Sequence, residues 1–245
     1  MTVLLTGADG YLGWPTALRL ADRLDERIVG VDNLARRDWV AEVGSVSAVP
    51  IDDPPTRFDG RPNLSFVEGD LADPDVVDGL LAVYEPETVI HTAAQPSAPY
   101  SQLNGERANY TQHNNLQATR NLLWGLDAHG LTDTHFVETT TTGIYGAPAF
   151  PIPEGGATME HAGQRDAVPF PAMGGSWYHQ AKSFDAANMR LAQTQFDLPI
   201  SDVRTAIVYG SETPETAGAP TRFDFDYYFG TVAHRFCAQA VAGYP

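Results

Sequence analysis

Lysine is nearly absent from this chain: of its 15 basic residues, all but Lys182 are arginine. Cysteine is as scarce. The single Cys237 excludes an internal disulfide and a cysteine-based zinc site. No apolar run approaches the roughly 18 residues of a membrane span. The opening segment, Met1 to Gly7, has neither the basic flank nor the apolar length of a signal peptide. A cytoplasmic soluble protein without membrane insertion is expected. Positive charge is short overall. With 31 acidic residues the net charge is -16, which argues against nucleic acid as a partner, because two negative fields would oppose binding. Salt screens such self-repulsion, so the balance suits a high-salt cytoplasm. A GC-rich codon bias would replace lysine by arginine but would not add acids, so the pattern favours a halophile.

What is present is a chain of 245 residues, 43% hydrophobic, long enough to bury a real core. Short β-rich runs alternate with stretches of helical periodicity. Strands are expected at 2–6, 27–31, 64–67, 88–92, 134–138 and 200–207. Helices are expected at 11–24, 73–83, 108–129, 178–194 and 231–242. This alternation means βαβ units, so the fold class is α/β with a doubly wound parallel sheet. Residues 33–63 read as a polar, proline-rich insertion and 143–175 as a long loop, which in a compact domain is usually functional. Residues 1–209 are expected to form a dinucleotide-binding domain that includes the catalytic helix. Residues 210–245 would begin a smaller substrate-binding lobe.

The first strand runs into Thr6-Gly7-Ala8-Asp9-Gly10-Tyr11-Leu12-Gly13, a GxxGxxG pattern. Glycines there permit a tight turn and let backbone approach a pyrophosphate at a helix N-terminus. Asp32 ends the second strand, where a carboxylate would bind the adenosine ribose hydroxyls, which favours NAD. Arg36 and Arg37 follow closely and could instead hold a 2′-phosphate. Asp70 has two readings, an acceptor for the adenine amino group or a helix N-cap. Expected cofactor contacts are Gly7, Gly10, Tyr11, Leu12 and Gly13 on the loop. Asp32, Asn33 and Arg36 would add to them after the second strand, and Asp70 and Leu71 after the third.

Tyr178 and Lys182 stand four apart at an expected helix start, on one face. An adjacent ammonium lowers a phenol pKa and makes tyrosine a usable base. The only lysine in the chain occupies that place. The fifth strand ends in Thr139-Thr140-Thr141-Thr142, and strand ends at this edge of a parallel sheet meet the ligand crevice. His234 and Cys237 lie one helical turn apart without further ligands, so no metal site is expected. His91 reads as a core residue.

Together the glycine loop, the threonine run before Tyr145-Gly146 and the YxxxK pair resemble the extended short-chain dehydrogenase/reductase superfamily, the NAD-dependent epimerases and dehydratases. Within it, Ser97-Ala98-Pro99-Tyr100-Ser101, Thr111-Gln112-His113-Asn114-Asn115 and Ser176-Trp177-Tyr178-His179 resemble the UDP-sulfoquinovose synthase family. That resemblance implies bound NAD, with UDP-glucose and sulfite as substrates for the sulfolipid head-group donor. It implies that Tyr178 takes the 4-OH proton, Thr141 bonds O4, Lys182 lowers the Tyr178 pKa and holds the nicotinamide ribose, and His179 shuttles protons at C5 and C6. Asn115 matches the structural asparagine of the superfamily, and a homodimer through the helices of Asn115 and Lys182 is implied by analogy. Two positions depart from the family pattern. Pro96 stands where an arginine is expected, and Ile144 where a glutamate is. Family members also continue beyond Pro245, so the substrate lobe is expected to be incomplete. A UDP-sugar 4-epimerase needs only Thr141, Tyr178 and Lys182 and stays open. A 4,6-dehydratase would carry an Asp-Glu pair where Thr142-Gly143 stands. A catalytically silent NAD sensor could have lost the Tyr–Lys pair.

Overall fold

A computed structural model describes residues 1–153 and 155–244. Six parallel strands form the central sheet: β1 (Thr2–Thr6), β2 (Arg27–Asp32), β3 (Leu64–Glu68), β4 (Thr88–His91), β5 (His135–Thr141) and β8 (Ile200–Thr205). Their order is β3-β2-β1-β4-β5-β8. The chain reverses direction across the sheet between β1 and β4, and such a switch point opens a crevice at the carboxyl ends of the strands. This is the doubly wound α/β architecture expected from the sequence.

Both faces of the sheet are covered. On β1, Leu4 enters one core with Val29, Leu81, Leu122 and Phe136, while Val3 and Leu5 enter the other with Trp14, Leu18 and Phe58. Side chains alternate across a strand, so a run apolar at successive positions has to be covered on both sides. Helices α1 (Gly13–Arg23) and α3 (Pro54–Phe58) cover one face, and α4 (Pro74–Tyr84) and α5 (Gly105–Ala128) the other. Helix α6 (Trp177–Gln195) lies beside α5, and α7 (Val232–Ala242) follows the last strand.

Two stretches differ from the sequence reading. The insertion at 33–63 contains α2 (Ala35–Glu42) as well as α3. Helix α2 buries only Trp39 and Val40, too little to print a periodic stripe. The expected loop at 143–175 holds an antiparallel hairpin, β6 (Gly156–His161) and β7 (Gln164–Pro169). Its two turn residues, Ala162 and Gly163, both have positive φ, as a two-residue hairpin turn requires. An alanine there gives no turn signal, and both strands are largely exposed.

From residue 210 the chain folds back over the loop between β1 and α1. Tyr11 Oη donates to the Gly210 carbonyl at 2.5 Å, and Trp14 Nε1 donates to the Ala219 carbonyl at 2.8 Å. Arg36 pairs with Asp224 at 2.7 Å. The last position of the stretch expected at 210–245 lies outside the described residues.

Candidate active site

The glycine loop is built by close backbone contact. A Cβ on Gly13 would stand 1.9 Å from the Gly7 carbonyl oxygen, and one on Gly7 would stand 2.7 Å from Ala93 N. Gly7 also has a φ of 74°, which favours glycine. The first turn of α1, like those of the short α2 and α3, has no side-chain cap, whereas α4, α5, α6 and α7 are capped by Asp73, Asn104, Ser176 and Thr231. Gly10, Tyr11, Leu12 and Gly13 line a cavity of about 470 Å³ at the switch point. An uncapped helix start on a cavity suits a phosphate.

At one end of this cavity Asp32 accepts hydrogen bonds from Leu34 N at 2.7 Å and Asp9 N at 3.0 Å. Burial pushes its carboxyl up to about 6, against the Leu34 hydrogen bond. Arg36 is committed to Asp224 and lies 4.1 Å over the Phe229 ring. Arg37 grips both oxygens of Asp9 at 2.8 Å. Neither guanidinium is free for a 2′-phosphate beside the Asp32 carboxylate. The residues present therefore fit NAD, through ribose hydroxyls on Asp32. Asn33, Asp70 and Leu71 line the same end. Asp70 accepts from Ala72 N at 2.9 Å, and the N-cap of α4 is Asp73, so the capping alternative for Asp70 falls.

At the other end the cavity is lined by Thr141, Thr142, Gly143, Tyr178 and His179. Thr141 Oγ1 accepts from Gly143 N at 3.0 Å, which leaves its own proton to donate. Ser176 caps α6 and also lies 3.0 Å from His179 Nδ1. The imidazole lies against residue 143, where a Cβ would stand 2.4 Å from Nε2. Any larger residue there would push the ring from this position. Burial pushes His179 below its ordinary range, so it is neutral near pH 7. Pro96 lines this region, and Ile144 is buried. Arg36 is the only lysine or arginine among the described residues lining the cavity.

Lys182 is buried behind Tyr178, where its Nζ donates to Glu138 Oε1 at 2.8 Å and lies 3.5 Å from Asp185 Oδ2. Burial opposes its charge, but the two carboxylates outweigh burial and hold it above the ordinary lysine range. Burial likewise pushes the Tyr178 phenol up. Lys182 lowers it, as the spacing implied, but by less than burial raises it. Asn115 bridges α5 to the loop after β4, accepting from Gln95 N at 2.8 Å and donating to Gln95 O at 3.1 Å. His91 is buried between Thr6 and Thr119. His234 stacks on Phe223, and Cys237 is exposed.

Sequence reasoning missed Ser176, Glu138, Asp185 and the cavity-lining Asp224, Phe229 and His234. One signal was available. Glu138 directly follows the apolar pair Phe136-Val137 in β5, and a carboxylate in the middle of a covered parallel sheet needs a buried partner.

A family model for the NAD dependent epimerase/dehydratase family matches residues 3–223. The chain is 36% identical to the chloroplastic UDP-sulfoquinovose synthase of Spinacia oleracea, over 99% of this chain and 52% of that protein. It is 36% identical to the UDP-sulfoquinovose synthase of Sulfolobus acidocaldarius, over 100% of this chain and 64% of that protein. The chain thus spans between half and two thirds of the length of these curated relatives. Among solved structures, the UDP-glucuronic acid 4-epimerase of Bacillus cereus, in complex with UDP-glucuronic acid and NAD, is similar in fold. The TM-score is 0.70 at 21% identity, covering 100% of this chain and 64% of that one.

Proposed function

This chain belongs to the NAD dependent epimerase/dehydratase family, and from that membership we propose that it is the NAD-binding and catalytic part of a UDP-sulfoquinovose synthase. The observation that carries the reading is 36% identity to two such synthases along essentially the whole chain. The meeting of Thr141, Tyr178 and His179 on one cavity with the glycine loop supports it. The substrates would be UDP-glucose and sulfite. Residues 1–209 would hold the cofactor and the catalytic groups, and residues from 210 on would begin the substrate-binding lobe.

NAD, when bound, supplies the hydride acceptor and donor for C4 of the sugar. The Gly7–Gly13 loop would hold its pyrophosphate and Asp32 its adenosine ribose, while Lys182, off the cavity lining and held by Glu138 and Asp185, would act through Tyr178 and not on the nicotinamide ribose as the resemblance implied. The chain moves the protons. Tyr178 takes the 4-OH proton as C4 becomes a ketone, and Thr141 donates a hydrogen bond to O4. The ketone acidifies C5–H. His179, held by Ser176, takes that proton and returns it to the oxygen leaving C6 as water. Sulfite enters as bisulfite, its sulfur adds to C6 and its proton goes to C5 by way of His179, and Tyr178 returns its proton to O4 as reduction at C4 restores the alcohol.

A second reading, a UDP-sugar 4-epimerase, is favoured by one observation. Pro96 brings no cation to this end of the cavity, and Ile144 brings no carboxylate. Mass spectrometry of the ligands retained on purification tests the common part. NAD with UDP-glucose supports both enzyme readings, and an empty or NADP-loaded protein counts against them. The exposed Trp124, Phe184 and Leu191 on α5 and α6 support a homodimer through these helices. We place the enzyme in the cytoplasm of a halophile, serving sulfolipid synthesis, on the acid excess and the reaction.

A further inference from the structure

A line of buried polar groups runs under the active site, and apart from Lys182 none of them takes part in the mechanism above. Thr6 Oγ1 lies 2.7 Å from His91 Nδ1, and His91 Nε2 lies 3.3 Å from Thr119 Oγ1. Thr119 donates to Glu138 Oε2 at 3.4 Å, and Lys182 donates to Glu138 Oε1 at 2.8 Å. Asp185 stands beyond, 3.5 Å from Nζ. The line passes from β1 through β4, α5 and β5 to α6. All six residues are 2% exposed or less.

The charges in this line do not balance. His91 is kept neutral by burial and by Lys182, which together hold it well below its ordinary range. That leaves two carboxylates against one ammonium. A buried carboxylate without a compensating charge is costly, and the ordinary remedy is a proton. The hydrogen bonds accommodate one. With Glu138 ionised, His91 donates from Nε2 to Thr119, and Thr119 donates to Glu138. With Glu138 protonated on Oε2, the carboxyl donates to Thr119, Thr119 donates to His91 Nε2, and the imidazole proton sits on Nδ1 toward Thr6. Reversal of the chain leaves no member without a partner. Asp185 faces Thr119 and Glu138 from beside the same chain, with both carboxylate oxygens buried and without a hydrogen-bond donor.

We propose that Glu138 is a positioning residue that, with Asp185, shares one exchangeable proton beside Lys182, so that loss of that proton adds a negative charge facing the Tyr178 hydroxyl. The inference rests on Tyr178 being the acid–base group of the proposed function. Burial chiefly, with Asp185 and Asp202 adding to it, pushes Glu138 up to about 8 against Lys182. The groups facing it are Tyr178, Lys182 and Asp185 on α6, His91 on β4, Thr119 on α5 and Asp202 on β8. Arg204 Nε pairs with Asp202 at 2.7 Å and offsets its charge. Two carboxylates this close to one lysine titrate as a unit. Both carboxylates raise the Tyr178 phenol. Below the transition the trio is neutral and the phenol ionises more readily. Above it the extra charge opposes the phenolate.

The test uses the fact that the chain has one lysine. Lysine labelled with ¹³C at Cε gives one side-chain NMR signal, that of Lys182, without substrate or cofactor. Its shift is followed from pH 5 to 10. A step near pH 8 is expected in the unaltered protein and in Tyr178→Phe, and it should vanish in Glu138→Gln, which keeps the hydrogen bond but cannot titrate. In Asp185→Asn the step should move to lower pH, because Glu138 then faces Lys182 without a competing charge. Absence of the step in the unaltered protein overturns the proposal, and so does its survival in Glu138→Gln. Should the Gln variant not fold, an unmoved step in Asp185→Asn overturns it equally. The readout is independent of sulfite chemistry, so failure of the one leaves the other standing.

Discussion

Ser176 Oγ accepts from the His179 backbone N–H at 3.1 Å and lies 3.0 Å from His179 Nδ1. One hydroxyl therefore starts helix α6 and fixes the ring that faces the cavity. Ser176→Ala should cost roughly 1 kcal/mol of stability through the lost cap. It should also slow solvent exchange at C5 of the sugar, because the imidazole is free to turn. Denaturant melts and deuterium uptake at C5 check the two effects separately. Exchange at the original rate would remove His179 from the C5 chemistry or Ser176 from its control.

Tyr178→Phe should abolish hydride transfer, by roughly 10²-fold or more, while NAD stays bound. Stopped-flow absorbance of the reduced cofactor with UDP-glucose measures the first effect, and calorimetric titration of NAD the second. Near-normal turnover would take the acid–base role away from Tyr178.

Gly10→Val should weaken NAD binding roughly tenfold or more, because the side chain blocks backbone approach to the pyrophosphate. A Cβ at residue 10 would stand 3.0 Å from the Gly7 carbonyl oxygen, a far milder contact than at residue 13. Gly13→Ala should damage the fold itself, given the 1.9 Å contact at that position. Calorimetry of NAD binding and thermal melts separate the cases. Unchanged affinity in Gly10→Val contradicts the phosphate-loop assignment.

Most of the frame was legible in the sequence because it depends on local periodicity. β1, β2 and β3, and the helices carrying Asn115 and Lys182, follow from alternation of short β-rich runs with 3.6-residue spacing. The meeting of Gly7, Gly10, Gly13 and Asp32 on one cavity was legible because their offsets along the chain are fixed. The hairpin around Ala162-Gly163 was not, since neither strand buries enough to leave a pattern. Partners far apart in sequence were not legible either. Glu138 meets Lys182 across 44 residues and Arg36 meets Asp224 across 188. Only tertiary folding brings such pairs together.

Glu138 gives stability a pH dependence of known sign. Its carboxyl rises from 4.5 to about 8 on folding, so the folded state holds a proton that the unfolded chain releases between these values. Stability then falls as pH rises through that window. Asp32 contributes a slope of the same sign, but its rise ends at about 6. Thermal midpoints between pH 6.5 and 8.5 should decline for the unaltered protein and stay flatter for Glu138→Gln. Parallel declines would assign the slope to another group.

The most direct measurement is the product formed from UDP-glucose, sulfite and NAD, followed by mass spectrometry with absorbance at 340 nm in parallel. A UDP-6-sulfo sugar should form with no net NADH, because C4 is oxidised and then reduced again. His179→Ala should keep oxidation at C4 and lose most of the sulfonated product. Formation of UDP-galactose alone, indifferent to sulfite, would contradict the synthase reading and leave a UDP-sugar 4-epimerase in its place.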